Sequence, residues 1–292
     1  MDLLLRIVGI ITPVLVVSAF GYGYGRLRQP DMTWINRLLT DLLFPSLIFS
    51  AMASKDFHIL EYTPLLLGSV AMILGSGGIA WLVARWLNYN PHAFVPSMMF
   101  SNVANMGLPL TLFAFGPDLL PAAVSMFMIF SLIHFTIGIR LCAPNADTKG
   151  ILRSPMLWAM ILGILMSLGG FILPAWLSSS LRLLGDAAIP LGLFALGVGF
   201  STFRITNWSA GLVGAILCPV SGLLVAWPLV HFLPLTPAMR GLLILYAALP
   251  PAVMNYIFAE RYHQDPGLVS AIVVGVNIAS LFFIPVALSF AL

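Results

Sequence analysis

Ala247-Ala248-Leu249-Pro250-Pro251-Ala252-Val253-Met254-Asn255-Tyr256 interrupts an uncharged apolar run, 241–259, near its centre. A proline lacks the backbone donor and its ring clashes with the preceding turn. The adjacent pair Pro250 and Pro251 therefore predicts a broken helix. A second stretch has the same character. Ser101-Asn102-Val103-Ala104-Asn105-Met106-Gly107-Leu108-Pro109 lies inside the run 93–117, and Gly107 and Pro109 are read as its break. Unwound backbone at the middle of a bilayer leaves amides and carbonyls unpaired. It is tolerated only where it is buried in protein or lines a wet cavity. Two such breaks predict a central site, and a fold arranged around it.

The rest of the chain agrees with a membrane setting. Of its 292 residues 60% are apolar and 8% charged, where about 25% charged is usual for a soluble domain. That excludes a soluble enzyme, a nucleic-acid-binding protein and a disordered chain. A membrane helix needs roughly 20 apolar residues. The candidate spans are 7–25, 33–53, 62–84, 93–117, 119–139, 154–181, 181–203, 205–230, 241–259 and 266–292. Short turns join them, such as Arg28-Gln29-Pro30-Asp31 and Gly116-Pro117-Asp118. The runs are continuous rather than alternating, so helices are expected and not barrel strands. The fold class is an all-α membrane protein of ten helices, with spans four and nine broken. The first run lacks a basic leader and a small-residue cleavage site and reads as a retained span.

The net charge of +3 comes from basic residues set singly between runs. Arg26, Arg28, Arg85, Arg140, Lys149, Arg153, Arg204 and Arg261 fall on one face, and Arg6, Lys55, Arg182 and Arg240 on the other. The positive-inside rule then puts both termini outside and the longest loop, 142–153, in the cytoplasm. Cys142 and Cys218 lie in or beside apolar runs, which argues against a disulfide or a metal site.

The chain repeats itself at an offset of 145. Arg37-Leu38-Leu39 matches Arg182-Leu183-Leu184, Asp41 matches Asp186, Pro45 matches Pro190 and Phe49 matches Phe194. Phe113-Ala114 matches Phe258-Ala259, and Pro121 matches Pro266. The halves 1–145 and 146–292 would each hold five spans. An odd number makes the second half enter from the opposite side, which is the inverted repeat typical of secondary transporters.

At the two breaks, half-helix N-termini carry partial positive charge and free N–H groups suited to an anion. Asn102, Asn105 and Asn255 add amides that donate and accept. Ser101 and Tyr256 add hydroxyls, and Met106 lies among them. These are the candidate substrate-binding residues of an uncharged, hydrogen-bonding site. Asp41 and Asp186 are acids within or near spans, which default to functional hypotheses. Each follows an arginine by four residues, so a structural ion pair and a coupling-proton site are both open readings. His134, inside the fifth span, reads as packing rather than as a proton relay. No Walker A pattern, metal-ligand spacing or nucleophile elbow occurs, so neither an enzyme nor an ATP-driven pump is expected.

Asn36-Arg37-Leu38-Leu39 with Phe44-Pro45-Ser46-Leu47-Ile48-Phe49 resembles the second span of the auxin efflux carrier family. Ser101-Asn102 with Met106-Gly107-Leu108-Pro109-Leu110 resembles its fourth. Leu184-Gly185-Asp186 with Leu191-Gly192-Leu193-Phe194 resembles its seventh, and Ala248-Leu249-Pro250-Pro251 with Phe258-Ala259 its ninth. The resemblance runs the length of the chain and extends to the wider bile acid/auxin carrier superfamily. It implies a scaffold domain of spans 1, 2, 6 and 7 and a transport domain of spans 3–5 and 8–10 that moves like an elevator. It implies a small organic anion as substrate, auxin-like or malonate-like, with no cofactor beyond H⁺ or Na⁺ as a coupling ion. A homodimer through the scaffold and a bacterial inner membrane are further implications. A Na⁺-coupled, bile-acid-like symporter and a membrane sensor or scaffold without flux are the rival readings. The minimal central loop and the short fourth-span motif depart from the plant carriers and point away from auxin itself.

Overall fold

The computed structural model describes residues 2–54, 57–144, 152–202 and 207–292. Lys55, Lys149 and Arg204, used above for sidedness, lie outside the described residues. These form twelve helices: α1 (Asp2–Arg28), α2 (Thr33–Met52), α3 (Ile59–Trp86), α4 (Pro91–Met99), α5 (Val103–Phe115) and α6 (Pro117–Cys142). After them come α7 (Pro155–Gly169), α8 (Ala175–Thr202), α9 (Trp208–Phe232), α10 (Pro237–Ala247), α11 (Met254–Arg261) and α12 (Pro266–Ala291). Seven of these are long and apolar enough to cross a membrane. Their outer faces present chiefly leucine, phenylalanine and tryptophan. Trp34, Trp86, Trp176 and Trp208 are exposed at helix ends, where amphipathic rings mark the water boundary of a bilayer.

Helices in lipid gain little from the hydrophobic effect among themselves, so close backbone approach through small residues holds them together. α1 lies along α8 in this way. Gly21 faces the Phe194 carbonyl, and Gly197 faces the Ser18 carbonyl and the Tyr22 backbone nitrogen. α8 crosses α2 where Gly185 meets the backbone of Leu47, and α7 meets α2 where Gly163 meets Met52. These four helices form one bundle. The other eight pack chiefly with one another. Gly275 of α12 sits on the Gly211 carbonyl of α9, and Gly222 of α9 on the Ala247 carbonyl at the end of α10.

Three features differ from the sequence reading. The run 154–181 is not one helix. α7 stops at Gly169, because Gly170 adopts a left-handed φ of 64° and the Phe171 amide turns back onto the Met166 carbonyl. Pro174 then precedes α8, which begins at Ala175 rather than near 181. Second, Gly107 and Pro109 do not break their span. They lie within α5, and the chain leaves helical geometry earlier, at Phe100–Asn102. A π-turn at Val103–Gly107 carries the Gly107 amide to the Asn102 carbonyl and the Leu108 amide to the Val103 carbonyl. It leads straight into the first turn of the next α segment, where the missing N–H of Pro109 is harmless. Third, π-turns also occur at Leu39–Leu43 and His134–Gly138. Such turns are frequent at functional sites, and here all three border one cavity.

Candidate functional site

The two breaks cross and pair with each other. Ser101 and Pro251 form an isolated antiparallel β-bridge. The Asn102 amide donates to the Pro250 carbonyl at 2.7 Å, and the Ala252 amide donates to the Phe100 carbonyl at 2.9 Å. The Asn255 side chain adds a third link, its Nδ2 donating to the same Phe100 carbonyl at 3.0 Å. Each break thus satisfies groups that the other exposes, which is what a low-dielectric interior demands. Pro250 and Pro251 lie in the second break as the sequence predicts. Pro250 has no N–H to lose to this pairing and contributes only its carbonyl.

The crossover turns the N-termini of α5 and α11 toward a cavity of about 230 Å³. Val103 and Ala104 line it from α5, and Val253 and Met254 from the start of α11. The opposite wall comes from the first bundle: Asn36, Thr40 and Phe44 of α2, Met156 of α7, and Ala195 and Gly199 of α8. The cavity therefore lies between the two bundles.

Among the described residues, four buried side-chain polar atoms have no hydrogen-bond partner: Asn102 Nδ2, Asn105 Oδ1, His134 Nε2 and Asn255 Oδ1. All four belong to the crossover and its cavity wall. Leaving such an atom unpaired costs about 1–3 kcal/mol, and an unsatisfied buried group calls for an explanation in function or in a missing partner. Four at one spot make this cavity the candidate site for a ligand. Two of the amides have their other atom engaged. Asn102 Oδ1 caps α5 by accepting from the Asn105 amide at 3.3 Å. Asn255, 2% exposed, holds the first break in place.

Of the candidate residues, Ser101, Asn102 and Asn105 line the cavity. Asn255 stands behind its wall. Tyr256 and Met106 do not line it. The Tyr256 hydroxyl donates to Glu260 at 3.5 Å along its own helix, and Met106 is buried in the core. Asp41 and Asp186 are exposed and do not line the cavity. Among the described residues neither forms an ion pair with Arg37 or Arg182, and Asp41 accepts only from the Thr40 hydroxyl. Because α8 begins at Ala175, Asp186 sits about 16 Å along it.

His134 is the residue that the sequence reading set aside. It lines the cavity, is 8% exposed, and stacks on Phe100 with ring centroids 4.2 Å apart and planes 9° from parallel. Its only signal in the sequence is that it is a histidine inside a long apolar run. Asn36, Thr40 and Ser131 complete the polar lining.

Comparison with known proteins gives the chain's relatives. The family described as membrane transport protein matches residues 6–149 and 145–288. A protein of Methanothermobacter thermautotrophicus named as an uncharacterized transporter is 28% identical, over 93% of this chain and 94% of its own length. The Rhizobium meliloti protein named "Putative malonate transporter" is 25% identical, over 88% and 87%. Auxin efflux carrier component 3a of Oryza sativa subsp. japonica is 26% identical over 45% of this chain and 22% of its own.

Proposed function

We propose, from the premise that the chain belongs to the membrane transport protein family of the auxin efflux carriers, that it is a secondary transporter of a small organic carboxylate. The observation that carries this reading is the gathering of three orphaned amide atoms at two helix N-termini, together with the orphaned His134 Nε2, beside one cavity. Amide donors and helix dipoles bind an anion without fixed charge. An amide can also turn its donor or its acceptor toward the ligand. The malonate in the name of the Rhizobium relative suggests the first substrate to try.

In this reading the chain crosses the membrane ten times, counting α7 and the broken pairs α4/α5 and α10/α11 with the seven long helices. The halves 1–145 and 146–292 are inverted copies. The bundle of α1, α2, α7 and α8 is the scaffold, and the remainder is the moving body. Separating the breaks would forfeit three hydrogen bonds in a medium where each is worth about 4–6 kcal/mol, so they travel together, as in an elevator. The cavity runs from the crossover toward the ends that carry Arg28, Arg140 and Arg153. By the positive-inside rule that end is cytoplasmic, the termini are outside, and this is the inward-facing state. The exposed Arg37, Asp41, Arg182 and Asp186 on adjacent faces of α2 and α8 suit burial against a second copy, since charges facing lipid are costly.

The test is flux of labelled malonate and auxin into proteoliposomes with H⁺, Na⁺ and voltage gradients imposed separately. Saturable uptake supports transport. Binding without flux leaves a sensor, and neither binding nor flux removes the carboxylate reading. Gly192 of α8 gives a finer check, because a Cβ there would come within 2.7 Å of Asn105 Oδ1. The amide is the yielding partner, so Gly192→Ala is expected to reduce flux roughly tenfold, about one hydrogen bond's worth. Thermal unfolding should shift little.

A further inference from the structure

We infer that His134 is the proton-binding residue of the cavity, taking up one proton as a carboxylate enters and crossing the membrane with both. The inference rests on the carboxylate reading above and adds the coupling ion. An anion entering this cavity meets no fixed positive charge among the described lining residues, and a bare carboxylate in a low-dielectric wall is heavily penalised. Among the described side chains that line the cavity, His134 is the one that can titrate.

The neighbours of the ring come from several elements. The first break supplies Phe100, stacked on the ring. α11 supplies Asn255 beside the imidazole and Phe258 edge-on at 5.1 Å. Its own helix supplies Phe135 at 6.0 Å and the bare backbone of Gly138. α2, α7 and α8 present Asn36, Thr40, Met156 and Ala195 across the cavity. None is charged. The nearby ionisable residues Arg37, Asp41, Arg140, Tyr256, Glu260 and Arg261 all lie outside the lining.

Two observations favour an imidazolium here. Aromatic faces within about 6 Å attract a cation, and Phe100 offers one at 4.2 Å. In addition, Nε2 of His134 and Oδ1 of Asn255 are both buried without partners. A neutral ring can already give the amide oxygen a donor from one nitrogen; a ring that carries hydrogen on both does so and keeps a second N–H for the anion. The step is association alone. A hydronium ion of the aqueous phase gives its proton to the imidazole lone pair, and no bond of the carboxylate breaks. A monoanion then crosses as a neutral pair, and proton and anion leave together on the far side.

The experiment uses the full chain in nanodiscs, with acetate, malonate and indole-3-acetate as probes. Binding and proton uptake are measured in weakly buffered solution between pH 5 and 8. Wild-type protein is expected to take up close to one proton for each carboxylate bound. Its affinity should rise by up to ~10-fold per pH unit lowered, the limit for one linked proton. His134→Gln is expected to bind more weakly with neither effect beyond the probe's own titration. Uptake unchanged in His134→Gln overturns the proton assignment while leaving the carboxylate reading intact. No binding of any probe by wild-type protein overturns the carboxylate reading and this inference with it. If the variant fails to fold, ¹⁵N-imidazole spectra of the wild-type protein decide, because the chain has only five histidines. One resonance that becomes protonated on adding the probe supports the assignment, and five that ignore it overturn it.

Discussion

Asn105→Ala combined with Asn255→Ala is expected to lower carboxylate flux at least ~100-fold while the protein still inserts and folds. Hydrogen bonds to a charged partner contribute about 1.5–3 kcal/mol each, and every 1.4 kcal/mol is a factor of ten. Asn105 faces the cavity directly. Asn255 acts from behind, by fixing the Phe100 carbonyl and with it the first break. The loss of that bond is partly offset, because the substitution also removes the orphaned Oδ1. Ala252 still donates to the Phe100 carbonyl. Stability should therefore fall by only about 1 kcal/mol. Size-exclusion profiles and melting curves check that the variant is folded, and proteoliposome flux gives the result. Flux within threefold of wild type would mean that the crossover is not where substrate binds.

Gly197→Val is expected to prevent stable folding. A Cβ at this position would enter the Ser18 carbonyl and approach the Tyr22 backbone nitrogen to 2.8 Å. Overpacking commonly costs about 1–3 kcal/mol when side chains can yield. Here the obstacle is the backbone of α1, which moves only as a whole, so the loss should exceed ~3 kcal/mol. The α1–α8 contact is the most extensive helix pair of the first bundle, and little else would hold α1 to it. Gly23→Val on α1 is the control, since nothing lies within 4 Å of its added Cβ. Expression with a folded monodisperse peak for Gly23→Val, and aggregation for Gly197→Val, is the expected contrast. A well-folded Gly197→Val would show that the helices can separate at no great cost.

The outlines of this protein are legible in its sequence because bilayer constraints act on composition. Uncharged runs and turn residues locate the helices, and Pro250-Pro251 marks one break without ambiguity. The other break is harder. Pro109 is the conspicuous residue of its span, yet a proline that follows a π-turn need not interrupt anything. The true break at Phe100–Asn102 is fixed by partners about 150 residues away, the Pro250 carbonyl and the Ala252 amide, and no local signal announces them. The same holds for His134, whose role depends on Phe100 and Asn255 converging on it. Tyr256 errs the other way: beside Asn255 in sequence, it points along its helix to Glu260 rather than into the cavity. The end of α7 could have been read from Gly169-Gly170 and Pro174, but the surrounding apolar residues hid the stop.

The small β-bridge between Ser101 and Pro251 also bears on how the protein is made. Synthesis delivers the first break long before the second, and until then the Phe100 carbonyl and the Asn102 amide have no lasting partner at the depth where water is scarcest. The first half can enter the membrane but cannot finish its own centre. Contacts this distant along the chain are slow to form. Assembly in the bilayer therefore has a late closing event, in which the tenth and eleventh helices arrive and complete a structure that has been waiting for them.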